Sequence, residues 1–108
     1  MLNVQCFNFN ELDVEVFKHL NLISLDITKC FKLEKINGYF DENCKLKYLW
    51  LIDTKITSLE PFKHLKKLNK ISFKNWDNEE IYSIQRRVLA EFLVTNYSIV
   101  DADIYTPF

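Results

Sequence analysis

The stretch that decides the fold runs from Leu46 to Trp76 and reads LKYLWLIDTKITSLEPFKHLKKLNKISFKNW. Leu49 and Leu51 are two residues apart, so in a strand both side chains point to the same face. We therefore expect these leucines to be buried. The opposite face of the same strand then carries Tyr48, Trp50 and Ile52.

The same apolar spacing returns 22 residues further along the chain. A strand this short is not stable alone in water and has to pair with a neighbour. The equivalent stretch from Leu68 to Phe73 is the expected partner strand. The matching pairs are Leu46 with Leu68, Leu49 with Ile71, and Leu51 with Phe73.

Between the two strands, apolar residues recur at every third position, at Ile56, Leu59, Phe62 and Leu65. This spacing favours a tight helical or 3₁₀ path rather than a strand. Pro61 fits the first turn of a short helix, where a missing N–H is not needed. An ordinary βαβ unit is the alternative, but its crossover usually has room for a regular helix, and this connection is tighter.

The pattern extends towards the N-terminus in two steps. Residues 22–45 form a second unit in which Cys30 stands where Thr54 stands in the next unit, and a small side chain there can satisfy backbone groups at the bend. Gly38 predicts a turn with positive φ. Residues 1–20 form a degenerate first unit in which Phe17 to Leu20 reads FKHL, as Phe62 to Leu65 does. Its inward strand pair is Val4 and Cys6, and its helically spaced apolar residues are Leu12, Val16, Phe17 and Leu20.

The period stops after Trp76, where a helix is predicted. Asp77 lies three residues before Glu80, as in a capping box. An apolar stripe then follows helical spacing, as expected of a helix that covers the last exposed unit. The stripe consists of Ile81, Ile84, Val88 and Phe92, widened by Leu89 and Leu93.

The pattern L-x-x-L-x-L-x-x-T-x-I-x-x-L from Leu46 onward resembles the leucine-rich repeat, whose period is about 20–29 residues. The tail from Gln85 to Thr106 resembles the C-terminal cap of intracellular leucine-rich repeat proteins, with Val94-Thr95 in place of a Leu-Pro turn and Val100-Asp101 in place of Leu-Asp. The resemblance implies an α/β fold: a short solenoid of about three to four repeats, with parallel strands on the concave side and a C-terminal capping helix. The single domain would span residues 1–108, with repeats in 1–76 and the cap in 77–108. Short proteins of this class are non-enzymatic adaptors, regulatory or spliceosomal subunits, or assembly factors.

Composition and cysteine content indicate the cellular compartment in which we expect the protein. The net charge is −1 and 48% of the residues are hydrophobic, with no apolar run long enough to span a membrane. The N-terminus has no basic segment of a secretory signal. Three cysteines without paired spacing indicate reduced thiols, and hence an intracellular protein, cytoplasmic or nuclear.

The sequence contains no motif for catalysis, a cofactor or a metal. With one glycine, a phosphate-binding loop is not expected. The cysteines and histidines include no pair with metal-ligand spacing. His19 and His64 occupy the same position in two units, which favours packing over catalysis. We therefore expect no enzyme, no cofactor, no metal and no small-molecule substrate.

The outward strand positions predict a site for a protein partner, because solenoids bind on their concave sheets. An aromatic and aliphatic centre would lie between an acidic and a basic flank. The alternative is that Tyr48 and Trp50 pack flat on their neighbours. The predicted contact residues are Ser24, Asp26, Tyr48, Trp50, Ile52, Lys70, Ser72 and Lys74.

A second hypothesis is a structural subunit of a ribonucleoprotein, ribosome-like or spliceosome-like. The basic stretch from Lys63 to Lys74 is interleaved with aromatic residues and could meet a phosphate backbone. The alternative is a solvated convex face. The candidate RNA contacts are Lys63, His64, Lys66 and Lys67.

Overall fold

The chain folds as a mixed α/β structure with a parallel sheet and, in the described residues, one C-terminal helix. The computed structural model describes residues 2–5, 8–18, 20–96 and 98–103, and for Gln5 and Asp103 the backbone alone. The elements in chain order are β1 (Leu2–Gln5), β2 (Glu11–Asp13), a 3₁₀ turn (Val14–Phe17), β3 (Ser24–Thr28), β4 (Lys35–Asn37), β5 (Tyr48–Ile52), a second 3₁₀ turn (Glu60–Phe62), β6 (Lys70–Lys74), α1 (Glu79–Thr95) and β7 (Asp101–Asp103).

Five strands form one sheet in the order β1-β3-β5-β6-β7, and every neighbouring pair is parallel. Leu25, Leu49 and Ile71 lie side by side in the register. A second, two-stranded parallel sheet joins β2 and β4. The predicted pairing of the strand at Leu49 with the strand at Ile71 is confirmed.

The alternation of β5 places its two leucines in the core. Leu49 and Leu51 are both fully buried, and Tyr48, Trp50 and Ile52 are half-buried on the opposite face. Burying a leucine stabilises the fold by roughly 1.5–3 kcal/mol. The predicted orientation of this strand is confirmed.

The return path after β5 is as tight as its spacing predicted. Its apolar residues at every third position are all buried. Pro61 stands in the first turn of the 3₁₀ segment Glu60–Phe62. The Phe40 ring stacks between those of Phe17 and Phe62, with centroids 6.2 and 5.4 Å away, so the return segments share one core.

The bends after β3 and β5 have the same geometry. Lys29 and Asp53 both adopt left-handed backbone angles, with φ of 58° and 57°. The next residue in each case, Cys30 or Thr54, is buried. The Cys30 thiol donates to the Val4 carbonyl at 3.7 Å, and the Thr54 hydroxyl accepts from the Ile56 amide at 3.3 Å. The predicted equivalence of Cys30 and Thr54 is confirmed.

The first unit differs from its sequence prediction. The helical spacing of Leu12, Val16 and Leu20 is not used, because β2 and a 3₁₀ turn occupy this segment. Val14 is buried with Phe17, whereas Val16 and Leu20 are exposed. Val4 is buried as predicted, but Cys6 and His19 lie outside the described residues.

Gly38 has the predicted positive φ, at 89°. A Cβ at this position would lie 2.8 Å from Cγ2 of Val14. Glycine therefore serves two purposes here, since it permits the turn and lets Val14 approach the backbone. Cys44 is half-buried.

Helix α1 begins one residue later than the predicted capping box. The side chain of Asn78, not Asp77, caps the helix by accepting from the Ile81 amide at 3.0 Å. The amides of Asp77 and Asn78 donate to the side chain of the buried Asn75. Asn75 thereby fixes the turn that leads from β6 into the helix.

The buried face of α1 is rotated from the predicted stripe. It centres on Tyr82, Gln85, Leu89 and Phe92, while Ile81, Ile84, Val88 and Leu93 are half-buried. The fully buried Gln85 amide donates to the carbonyls of Thr54 and Ile56 at 3.0 and 2.8 Å. These carbonyls belong to the segment between β5 and β6, so a polar side chain supplies the hydrogen-bond donors that these buried backbone groups need.

The segment after α1 adds a strand that the sequence did not predict. β7 pairs with β6 in parallel, with Lys70 opposite Asp101. The predicted cap region therefore contributes a helix packed on β6 and an edge strand of the sheet. Residues 104–108 of that region lie outside the described residues.

Candidate functional site

The outward face of the five-stranded sheet brings together all eight residues predicted to contact a partner. The inward positions of the central strands are filled by Leu25, Ile27, Leu49, Leu51, Ile71 and Phe73. The outward positions form three rows across β3, β5 and β6. The rows are Ser24–Tyr48–Lys70, Asp26–Trp50–Ser72 and Thr28–Ile52–Lys74.

Two aromatic rings occupy the middle of this face. Tyr48 and Trp50 point the same way from β5, with ring centroids 6.1 Å apart and ring planes inclined by 26°. Both side chains are half-buried, and the two rings stack on each other. Part of the alternative interpretation is therefore correct, since the rings do pack together, yet each keeps an accessible portion.

The side of the face next to β3 is acidic. Asp26 lies directly opposite Trp50 in the register and is half-buried. The Thr28 hydroxyl donates a hydrogen bond to Oδ1 of Asp26. Within the described part of the chain, no ion pair involves Asp26.

The side of the face next to β6 carries two lysines. Lys70 lies opposite Tyr48, and its ammonium group is 3.6 Å from a carboxylate oxygen of Asp101 on β7. The ammonium group of Lys74 lies 5.9 Å from the centroid of the Trp76 ring. The basic flank is thus partly neutralised by the edge strand.

Ser72 departs from its predicted role. It lies on the outward face opposite Trp50, but only 4% of its surface is exposed. Its side chain is short and sits below the level of larger neighbours. The neighbours of Trp50 in the register are Asp26 and Ser72, whereas Lys70 lies beside Tyr48.

The candidate RNA contacts lie on the turn between the second 3₁₀ segment and β6, where all four are exposed. Lys63 pairs with Glu60 at 3.0 Å and lies 5.0 Å from the centroid of the Tyr39 ring. The hydrogen bond to Glu60, together with its negative charge, raises the pKa of Lys63 above its ordinary value.

The other members of this basic group also have neighbours. Lys66 pairs with Glu42 at 3.0 Å. The ring centroid of His64 lies 5.6 Å from that of Tyr39. Two of the three lysines in this group therefore face a carboxylate of the same chain, which lowers the net positive charge of the turn. Lys67 is exposed on the same turn.

The described residues contain no group of three or more His, Cys, Asp or Glu side chains placed to hold a metal ion. Nor does any helix in that part of the chain have the length and apolar character needed to cross a membrane. A surface cavity of about 200 Å³ is lined by Phe17, Phe40 and Cys44, among others, and lies between return segments rather than on the sheet face.

Comparisons with protein-family models, with curated proteins and with solved structures found no match for this chain. The resemblance of its sequence to leucine-rich repeats therefore has no support from a matched relative.

Sequence reasoning missed the edge of this face beyond β6. Asp101 was assigned to the cap, yet it stands beside Lys70 and pairs with it. The only signal was the alternation in Asp101-Ala-Asp103, in which the alanine faces inward with Ile71. A three-residue strand with two acidic residues is too short and too polar for alternation to identify it.

Proposed function

We propose that this chain is a short leucine-rich repeat solenoid that acts as a non-enzymatic protein–protein interaction module. It would serve as an adaptor or as a structural subunit of an intracellular assembly. The repeated register of β3, β5 and β6 supports the repeat architecture, and so do the equivalent bends at Lys29 and Asp53. In this architecture the outward sheet face is the concave, partner-binding surface.

The observation that carries the proposal is the aromatic pair of Tyr48 and Trp50 at the centre of that face. Large aromatic side chains are enriched in the buried centres of protein interfaces, and polar groups in their rims. Here the centre is flanked by Asp26 on one side and Lys74 on the other. The core does not need these rings, because the inward face of the same strand is filled by two leucines.

The ribonucleoprotein hypothesis has weaker support. RNA binding through phosphates needs lysines whose charge is available. Lys63, Lys66 and Lys70 each face a carboxylate within 4 Å, and Lys70 lies on a different surface from the other two. A titration of RNA binding against salt tests this hypothesis directly, since phosphate contacts give a steep salt dependence.

The central test is the substitution Trp50→Ala, applied to an affinity-purified partner identified by mass spectrometry. We expect the purified partner to bind the variant at least about 30-fold more weakly, the ratio for a hot-spot loss of about 2 kcal/mol. The thermal unfolding midpoint should change little, because Trp50 is half-buried outside the core. Titration calorimetry gives the affinity.

Two controls make the result specific. Phe31→Ala removes an exposed aromatic residue from the loop after β3, and it should leave binding unchanged. The double substitution Lys66→Glu and Lys67→Glu reverses the charge of the basic turn. If this double variant abolishes binding while Trp50→Ala binds normally, the sheet face is not the site and the ribonucleoprotein hypothesis takes its place.

A further inference from the structure

We propose that the sheet face receives an arginine side chain of the protein partner, held between the Trp50 indole and the Asp26 carboxylate. This inference rests on the proposed binding function and adds the chemistry of the partner. It names a basic, arginine-bearing protein segment as the occupant of the face.

The position of Asp26 beside Trp50 is the first support. The two residues are paired in the register of β3 and β5 and project from the same face. Neighbouring strands lie about 4.8 Å apart, so a planar group that rests on the indole reaches the carboxylate next to it. Both side chains are half-buried, so a ligand there would be shielded from water on the protein side.

The state of the Asp26 carboxylate is the second support. The Thr28 hydroxyl donates to Oδ1, which fixes the orientation of the group. No ion pair in the described residues neutralises its charge, whereas Lys70 on the opposite flank of the aromatic pair already has Asp101. A half-buried carboxylate that has no counter-ion among the described residues favours a cation from outside the chain.

The aromatic neighbour selects the kind of cation. An ammonium or guanidinium group is attracted to the face of a tryptophan ring. Guanidinium is planar, weakly hydrated and able to donate two parallel hydrogen bonds to one carboxylate, so it satisfies the ring and Asp26 together. Lysine carries a compact, strongly hydrated charge and satisfies this arrangement less well.

The first experiment uses N-acetyl-arginine amide as a probe, titrated into isotope-labelled protein and followed by NMR. We expect the indole N–H resonance of Trp50 and the backbone amides of β3 and β5 to shift with the probe. The neutral isostere N-acetyl-citrulline amide should bind at least about tenfold more weakly, because it lacks the charge that strengthens the hydrogen bonds. Equal shifts with both probes, or no shift at Trp50, would overturn the inference.

The matched variants are Asp26→Asn and Asp101→Asn. Asparagine at position 26 can still accept from the Thr28 hydroxyl, so the first change removes charge while keeping shape. We expect Asp26→Asn to weaken arginine binding about tenfold or more, and Asp101→Asn to leave it within about twofold, because only Asp26 is the proposed charge-assisted hydrogen-bond partner. A similar loss in both variants would mean that the probe senses overall charge and would also overturn the inference.

A selection from a random peptide library separates this inference from the proposed function. Peptides selected on the wild-type protein are retested on Trp50→Ala and Asp26→Asn. If they carry arginine and lose binding to both variants, both proposals are supported. If they need Trp50 but neither arginine nor Asp26, the arginine inference fails while the binding function stands. If they bind Trp50→Ala normally, both proposals fail.

Discussion

The sequence FKHL occurs twice in this chain, and the two copies differ in how far their side chains are buried. In both copies the phenylalanine is buried, and the lysine follows a 3₁₀ turn and pairs with a glutamate three residues earlier. The final leucines differ, however. Leu20 in the first copy is 46% exposed, whereas Leu65 in the second is 3% exposed.

The difference lies in what surrounds each copy. The second copy has chain on both sides: the Phe40 amide donates to the Pro61 carbonyl, and Lys63 shares a surface cleft with Val88 and Phe92 of α1. The first copy belongs to the unit of β1, the first strand in the sheet order. The comparison shows that local sequence sets the turn, while the neighbours decide which side chains are covered.

The largest effect is expected when Phe62 is replaced by alanine, and its counterpart Phe17 provides the comparison. Phe62→Ala should lower the free energy of unfolding by about 3–5 kcal/mol, since Phe62 is fully buried against Phe40. Phe17→Ala should lower the free energy of unfolding by less than about 3 kcal/mol. Phe17 borders the open cavity beside Cys44 and therefore loses fewer contacts. Urea unfolding of both variants gives the comparison.

Equal losses in the two phenylalanine variants would break the comparison, because they would show that the first unit is packed as tightly as the inner one. The slope of the unfolding curve is the control. If the slope for Phe62→Ala falls well below that of the wild type, the variant is no longer two-state and its free energy cannot be compared.

The second prediction concerns the two leucines. Leu65→Ala should lower the free energy of unfolding by about 2–5 kcal/mol. Leu20→Ala should leave that free energy within about 0.5 kcal/mol of the wild-type value. The reason is the difference in exposure, since alanine at position 20 removes surface that water already reaches. Thermal unfolding at matched protein concentration measures both. A large loss for Leu20→Ala would reveal that another chain covers this leucine in solution.

The inner units were predictable from sequence because two regular signals coincide there. Alternation in Tyr48–Ile52 gave the strand and its buried face, and the three-residue spacing up to Leu65 gave the 3₁₀ path. The eight candidate contact residues followed from the same alternation. Register alone could not show that Ser72 is too short to reach the surface of the face.

The predictions failed where tertiary contacts override periodicity. Val14 is buried because it packs against the backbone at Gly38, a contact between two units that no local pattern contains. Gln85 occupies the centre of the buried helix face because its amide satisfies carbonyls of another segment, although hydropathy places glutamine outside. Asp101 joins the sheet through a strand too short to have a period.

The smallest effect is expected for the two ion pairs, which are the most similar parts of the two copies. Lys18 pairs with Glu15 at 2.5 Å and Lys63 with Glu60 at 3.0 Å, and all four side chains are well exposed. In both copies the hydrogen bond to glutamate, followed by its charge, raises the pKa of the lysine above the ordinary value. Pairs of this kind contribute little, because water screens them.

Lys18→Met and Lys63→Met should therefore leave the urea midpoint unchanged within error. The stabilisation linked to a raised lysine pKa is fully present below the unfolded value of about 10.4 and is lost only as the pH rises through the folded value. The small difference between each variant and the wild type should therefore stay the same from about pH 6 to pH 9. One difference between the two ion pairs is the Tyr39 ring, which lies 5.0 Å from the Lys63 ammonium group. If Lys63→Met alone lowers the midpoint, a Tyr39→Leu background decides the cause: a loss that disappears there comes from the ring contact, and a loss that persists comes from the ion pair, which would contradict the equivalence of the two copies.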